Sequence, residues 1–189
     1  MPNHVTNMIQ FSGEQKDIDK ILELIKGEES CIDFNKIVPM PENIFRGNLG
    51  QKERELYGKN NWYDWSCFNW GTKWNAYSDS LDKEENTITF DTAWSCPLPV
   101  LDKLAEICYK HNVSFTGKWA DEDRGVNVGI FESDCDDPDE YWFSYEYIEN
   151  FSNMAYDIYV ELKGESLCLG KDENGNWVSY NCDNCPNPC

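Results

Sequence analysis

The sequence predicts an α+β fold in which one antiparallel sheet is backed by two helices. Segments that alternate apolar and polar residues, typical of strands, are interspersed with segments whose apolar residues lie three or four positions apart, typical of helices. Their order is β-α, β-β, α-β, which is the split βαβ pattern. A chain of 189 residues has room for one substantial core together with an insertion or a small appendage.

The N-terminal pattern predicts the first strand and the first helix. Residues 5–11 alternate, and the side that holds Val5, Asn7 and Ile9 is expected to be buried. Gly13 follows the strand. A helix is predicted over residues 14–26, because its apolar residues have helical spacing and its first turn is acidic.

The aromatic stretch over residues 61–94 contains five of the eight tryptophans. Because an indole buries a large apolar area, this stretch is expected to form a local core for the neighbouring segments. The rings spaced to lie on one side of a short helix are those of Trp62, Trp65, Phe68 and Trp70. Gly71 is a helix stop in this prediction.

A hairpin is predicted after this short helix. Residues 73–79 and 87–94 alternate on either side of a polar connection, residues 82–86. Core positions are expected for Trp74, Phe90 and Trp94.

Two further features complete the predicted domain of residues 1–132. Residues 30–72 are expected to be an insertion, with an extended segment at Pro39 and Pro41 and a short helix over residues 51–57. After the hairpin, a helix to about residue 111 precedes two alternating strands, residues 113–120 and 126–131.

Residues 133–189 are expected to form a C-terminal extension. Residues 141–148 fit a strand and residues 151–162 fit a helix. Further on, Asn174-Gly175 is a strong turn signal between two short strands.

The chain is strongly acidic, with 35 acidic and 16 basic residues and a formal net charge of −19. This balance argues against direct binding to nucleic acid, because phosphate contacts need a basic patch. It favours a partner protein with a basic surface, including a groove that normally holds nucleic acid. The alternative is that the charge only keeps the protein dispersed in solution.

The sequence also predicts a cytoplasmic protein. No apolar run approaches the length of a membrane span, and the N-terminus lacks the basic and apolar regions of a signal peptide. The nine cysteines are therefore expected to be mostly reduced, with Cys31, Cys67, Cys96 and Cys108 acting as small core residues.

Several long motifs carry a resemblance to a known family. They are PNHVTN, DFNKIVPMPE, NWYDW followed by NWGTKWNAY, ITFDTAWSCPLPV and WADEDRGVNVG. Together they resemble the YubB-type ferredoxin-like family encoded by plasmids and phages, over about residues 1–132. The resemblance implies the ferredoxin-like βαββαβ topology, without an iron–sulfur cluster, and an origin in a mobile element. It implies no established activity and no catalytic residue.

The cysteine-bearing tail is a candidate structural zinc site. Cys182 and Cys185 have the spacing of a chelating pair, and Cys189 and Cys168 could complete a tetrahedral set of thiolates. The spacing of the other ligands is irregular. Free thiols, or disulfides formed during purification, are the alternative, and no other cofactor is expected.

Two clusters of carboxylates are candidate partner-binding patches. The first is Asp121, Glu122 and Asp123, and the second is Asp134, Asp136, Asp137, Asp139 and Glu140. Neither has the spacing of a calcium-binding loop. Both lie where turns are expected, so a solvated acidic turn is the alternative for each.

The aromatic stretch could also supply a binding surface, because Trp and Tyr dominate interface hot spots. The candidates are Trp62, Tyr63, Asp64 and Trp65. For the two tryptophans, burial in the core is an equal alternative.

An enzyme is disfavoured. His4 and His111 are the only imidazole bases, and no recognised motif places a Ser or Cys nucleophile beside either. No glycine-rich phosphate loop follows a strand.

The leading hypothesis is an acidic, non-enzymatic binding protein of a phage or other mobile element. It would inhibit a host defence nuclease guided by nucleic acid, in the manner of an anti-CRISPR protein. One alternative is a small-molecule or metal-dependent enzyme or sensor that uses the acidic clusters or the cysteine tail. Another is a housekeeping protein of the mobile element.

Overall fold

A six-stranded antiparallel sheet organises the molecule, in the strand order β2-β3-β1-β4-β5-β6. The computed structural model describes residues 3–137, 140–164 and 168–179. The strands of this sheet are β1 (His4–Ser12), β2 (Tyr77–Asp82), β3 (Thr87–Ala93), β4 (Ser114–Asp121), β5 (Val128–Asp134) and β6 (Trp142–Tyr147). A separate two-stranded sheet consists of β7 (Leu169–Lys171) and β8 (Trp177–Ser179).

The helices of the described residues are α1 (Gln15–Ile25), α2 (Phe34–Ile37), α3 (Gln51–Tyr57), α4 (Trp62–Asn69), α5 (Leu98–Tyr109) and α6 (Asn153–Lys163). Strands β1 to β4 with helices α1 and α5 form the split βαβ unit, so the predicted ferredoxin-like fold is confirmed. Strands β5 and β6 then widen the sheet on the β4 side.

One face of the sheet holds the main core. The central strand β1 presents Val5, Ile9 and Phe11 to this face, and all three side chains are buried. Helices α1 and α5 cover it with the apolar stripes that helical periodicity predicted, including Ile21 and Leu104. Burial of this continuous apolar surface is the main force that holds the helices on the sheet.

Helix α6 packs on the opposite face of the sheet. Its buried residues Ala155, Ile158 and Tyr159 contact Ala120 of β4 and Val128 of β5 in a second, smaller core. Ser152 caps this helix by accepting a hydrogen bond from the Ala155 N–H at 3.2 Å. Helices α1 and α5 therefore cover most of one face, except at Tyr145 and Tyr147 of β6, whereas α6 covers only part of the other face.

The insertion between α1 and β2 packs beside the main core. Helix α2 buries Phe34 and Ile37, and the ring of Phe34 contacts Phe90 and Trp70 edge to face. The Trp70 indole N–H donates to the Val38 carbonyl at 2.9 Å. These contacts close the insertion onto strand β3.

Three aromatic residues differ from the positions that the sequence predicted. Phe90 is buried as expected, but Trp74 is 38% exposed and Trp94 is 43% exposed, so the predicted core positions of these two indoles are wrong. Strand β2 begins only at Tyr77, and Trp94 follows the end of β3, so neither indole belongs to the alternating pattern. Phe68 is 83% exposed, so it does not join the contact between Trp65 and Trp70.

The Asn174-Gly175 turn joins β7 to β8, as predicted, with Gly175 in the left-handed region at φ +83°. Within residues 3–137, 140–164 and 168–179, every helix is too short or too polar to cross a membrane.

Candidate binding site

The open part of the second sheet face forms a groove of about 940 Å³ beside α6. Two rows of register partners cross its floor from β2 to β6. The first row is Asp82, Thr87, Gln10, Thr116, Glu132 and Ser144. The second row is Ser80, Thr89, Met8, Lys118, Ile130 and Glu146. Because each row passes through consecutive paired strands, the floor is continuous.

Carboxylates dominate the charge of this groove. They are Asp82 and Glu85 beside β2 and β3, Glu132 and Glu146 on β5 and β6, and Glu161 on α6. The ammonium that lines the groove belongs to Lys118, and it donates to both carboxylate oxygens of Glu161, at 2.6 and 2.7 Å.

The other four groove carboxylates have no ion pair with a Lys or Arg in the described ranges. Every Lys and Arg of the chain lies in those ranges. The groove therefore carries an excess of negative charge that the chain itself does not neutralise.

Three of the four residues predicted to form an aromatic binding surface make contacts within the protein itself. Trp65 packs on the core and contacts Trp70 edge to face. The Trp62 indole N–H donates to the Gly47 carbonyl at 3.1 Å. Asp64 accepts from Asn61 at the start of α4, in a local capping arrangement. These three side chains thus take part in local structure.

Tyr63 links the aromatic stretch to the exposed Trp94. The two rings meet edge to face with their centroids 6.5 Å apart. The Lys73 ammonium lies 5.0 Å from the ring centroid of Trp94 and 4.5 Å from that of Trp74. A lysine of the chain itself therefore occupies the space between the two exposed indoles.

The first predicted acidic cluster lies next to Trp94, but its central carboxylate is already bonded. Asp121 is only 4% exposed and accepts hydrogen bonds from the side chains of Asn3 and Asn127, at 3.1 and 2.9 Å. Asn127 also donates to the Trp94 carbonyl at 3.2 Å. Asp121 therefore organises this end of the sheet, while Glu122 and Asp123 are exposed.

His4 and Tyr77 meet near the same end of the sheet. The Tyr77 hydroxyl lies 2.7 Å from Nδ1 of His4 and donates to the Thr92 carbonyl at 3.1 Å. Burial, together with the charges of Asp91 and Glu122, raises the pKa of Tyr77 to about 12. The imidazole is thus bonded to a phenol that stays protonated, and this pair lacks the Ser or Cys nucleophile of a catalytic triad.

The second predicted acidic cluster lies at the opposite end of the sheet, where β5 ends at Asp134. Ligand atoms of Asp134, Cys135 and Asp136 lie within 4.8 Å of one another. Asp137 and Glu140 are exposed, and Asp139 lies outside the described residues. The two predicted clusters are therefore not parts of one surface.

The predicted zinc ligands cannot be placed as a set. Cys168 is half-buried and immediately precedes β7, whereas Cys182, Cys185 and Cys189 lie outside the described residues. Of the four cysteines expected in the core, Cys96 and Cys108 are buried, Cys31 is half-buried and Cys67 is exposed.

The groove carboxylates were missed because they are scattered through the sequence. Glu132 and Glu146 are single residues on different strands, and Glu161 belongs to a helix. The sequence feature that could have indicated the groove was the polar side of the alternating strands, where Thr87 and Thr89 face away from the buried Ile88 and Phe90. Only the strand order shows that these polar sides adjoin one another.

The fold and the partly open sheet define a ferredoxin-like protein with two added strands. Residues 73–162, just under half of the chain, match the family model described as a ferredoxin-like domain in Api92-like protein. The match runs from Lys73, ahead of β2, to Leu162 in α6, so it includes α6 and the strands of the groove floor except β1, which contributes Met8 and Gln10. No curated protein and no solved structure matches the chain.

Proposed function

We propose that this protein is a non-enzymatic binding protein that engages a basic surface of a partner protein. The observation that carries the proposal is the open sheet face, where four carboxylates lack a cationic partner in the described part of the chain. Opposite charge on a partner would be attracted to this face and would favour correct orientation during association. The formal net charge of −19 acts in the same direction at longer range.

In its more specific form, the proposal is that the partner is a host defence nuclease guided by nucleic acid. Such a nuclease holds its guide and target in a positively charged channel. An acidic protein that occupies the channel would compete with the nucleic acid, in the manner of an anti-CRISPR inhibitor. The YubB-type resemblance supports an origin in a phage or other mobile element, and we place the protein in the cytoplasm of the host bacterium.

A pull-down from bacterial lysate tests the general proposal. Tagged protein is incubated with lysate that has or has not been treated with nuclease, and the captured proteins are identified by mass spectrometry. A basic protein that is captured in stoichiometric amount after nuclease treatment is the expected result. Survival after nuclease treatment separates protein binding from indirect capture through nucleic acid.

A groove variant and a matched control make this test specific. The groove variant combines D82N, E85Q, E132Q and E146Q, whereas the control combines E14Q, E28Q, E29Q and E42Q, at exposed positions outside the groove. Both variants lose the same formal charge. We expect the groove variant to lose the partner and the control to keep it, and equal capture by both would contradict the proposal.

A further inference from the structure

We infer that the groove accepts an extended segment of the partner chain that crosses the strands and carries two basic side chains about six residues apart. This inference rests on the proposed function and adds the orientation and the charge spacing of the bound segment. It follows from how the carboxylates are distributed over the groove floor.

The carboxylates form two separate poles. The first pole is Asp82 and Glu85, at one side of the groove, and the second pole is Glu132 and Glu146, at the other. Asp82 and Glu132 stand in the same row of register partners, on strands that are four steps apart in the sheet order. At about 4.8 Å per step, the poles are separated by about 19 Å.

The floor between the poles is almost neutral. Its centre is formed by Thr89 of β3, Met8 of β1 and Thr116 of β4, and Lys118 of β4 is held by Glu161 of α6. A cation over the centre would meet the Lys118 ammonium, whereas a cation at either pole would meet two carboxylates. The basic side chains of the ligand therefore belong at its two ends.

An extended peptide matches this arrangement. At about 3.3 Å per residue, a span of about 19 Å corresponds to about six residues. Small or apolar residues in the middle of the segment would lie over Met8 and Thr89. Helix α6 borders the second row, where Glu161 bonds Lys118 and Ile130 packs against the second core, so the segment would follow the first row, which holds Asp82 and Glu132.

Charge complementarity selects a basic segment of another protein over other occupants. A second copy of this chain would carry the same formal charge of −19 and would be repelled. Residues 180–189 of the chain itself contain one carboxylate and no Lys or Arg, so they offer no cation to either pole. Nucleic acid would place phosphates against the carboxylates.

Fluorescence anisotropy with the full chain and labelled peptides tests the inference. The probe is an acetylated and amidated peptide with two arginines six positions apart and only Gly, Ser and Thr elsewhere. A second peptide of the same composition has adjacent arginines, and a third has one arginine. We expect the spaced peptide to bind about threefold to fivefold more tightly than the adjacent one, as for one additional exposed ion pair.

Two pole variants check that both ends are used. D82N/E85Q and E132Q/E146Q should each weaken binding of the spaced peptide by about threefold to fivefold, and should weaken the single-arginine peptide less. The control E28Q/E29Q, at exposed positions outside the groove, should bind like the wild type. Far-UV circular dichroism spectra that match the wild type would show that each variant keeps the fold.

Three results would overturn the inference. Equal affinity for the spaced and adjacent peptides would contradict the spacing, and a single effective pole variant would contradict the crossing orientation. Competition by spermine as strong as that by unlabelled spaced peptide would assign the groove to a linear polyamine instead. Failure of the proposed function is distinguishable, because the groove variant would then capture the lysate partner as well as the wild type does.

Discussion

At the scale of single residues, Trp94 shows where sequence reasoning failed and why. The alternation through β3 predicted a buried indole, but the backbone of Trp94 lies in the left-handed region at φ +73°. This conformation is rare for a large side chain. Hydrogen bonds hold it, since the Trp94 N–H donates to the Asn3 carbonyl at 2.9 Å and Asn127 donates to the Trp94 carbonyl. Such distant contacts have no local signal in the sequence.

The buried hydroxyl of Thr72, which bonds the residue before Trp94, gives a prediction for stability. The Thr72 hydroxyl donates to the Ala93 carbonyl at 2.8 Å and accepts from the Ala93 N–H at 3.1 Å, so it joins the insertion to the end of β3. T72V leaves both backbone groups unsatisfied and should reduce the free energy of unfolding by about 1–3 kcal/mol, measured by urea denaturation. T72S keeps the hydroxyl and should lose clearly less. Equal losses in the two variants would contradict this role.

Tyr77 gives a prediction for alkaline pH. Its pKa in the folded protein is about 12, above the ordinary value of 10.0. The phenol therefore contributes stability that is fully present below pH 10 and is lost as the pH rises towards the folded pKa. The difference between the ultraviolet absorbance titrations of wild type and Y77F should show a tyrosine that ionises near pH 12 while circular dichroism reports a folded chain. A midpoint near pH 10 would contradict the burial of this hydroxyl.

At the scale of elements, periodicity predicted which segments form strands and helices but not where each one packs. Helix α6 illustrates the difference, because its apolar stripe indicates a buried face without indicating which sheet face it covers. Its contacts with Ala120 and Val128 place it opposite α1 and α5. That position divides the second sheet face into a covered part and the open groove. The groove could therefore not be derived from local sequence.

The sheet depends on a close approach at Gly129 of β5. A Cβ atom there would lie 2.1 Å from the ring of Trp119, which is fully buried, and 2.6 Å from the Glu146 carbonyl. G129A should therefore lower the free energy of unfolding by about 1–3 kcal/mol, measured by urea denaturation. T116A, at an exposed position on the neighbouring strand β4, should change it by less than about 0.5 kcal/mol. Similar effects of the two substitutions would contradict the packing.

Helix α5 gives a prediction for acidic pH. Hydrogen bonds from Lys103 and Lys110 lower the pKa of Glu106 to about 2, from 4.5. The resulting stabilisation is present above pH 4.5 and is lost as the pH falls towards the folded pKa. The wild type should therefore lose more stability than E106Q between these values, by a small amount because the group is near the surface. Urea denaturation at several pH values measures the difference, and parallel curves would contradict the pairing.

At the scale of the whole molecule, composition predicted the sign of the charge but not the place where it is concentrated. The acidic runs at residues 121–123 and 134–140 were predicted as patches because their carboxylates lie close together in the sequence. Their described members lie at opposite ends of the sheet, and Asp121 is buried in a hydrogen-bond network. The five groove carboxylates come from four separate segments of the chain and meet only through the strand order and α6. We propose that this groove is the surface that recognises a basic partner.

An NMR titration that maps backbone amide chemical shifts tests whether the groove binds a basic segment. Isotope-labelled protein is titrated with the spaced diarginine peptide, and the backbone amide signals are followed by NMR. We expect shifts of the amide signals at the groove floor, including Met8, Thr89 and Ile130, and much smaller shifts in the groove variant. Shifts confined to the surface around Trp74 and Trp94, or groove shifts that persist unchanged in the variant, would contradict it.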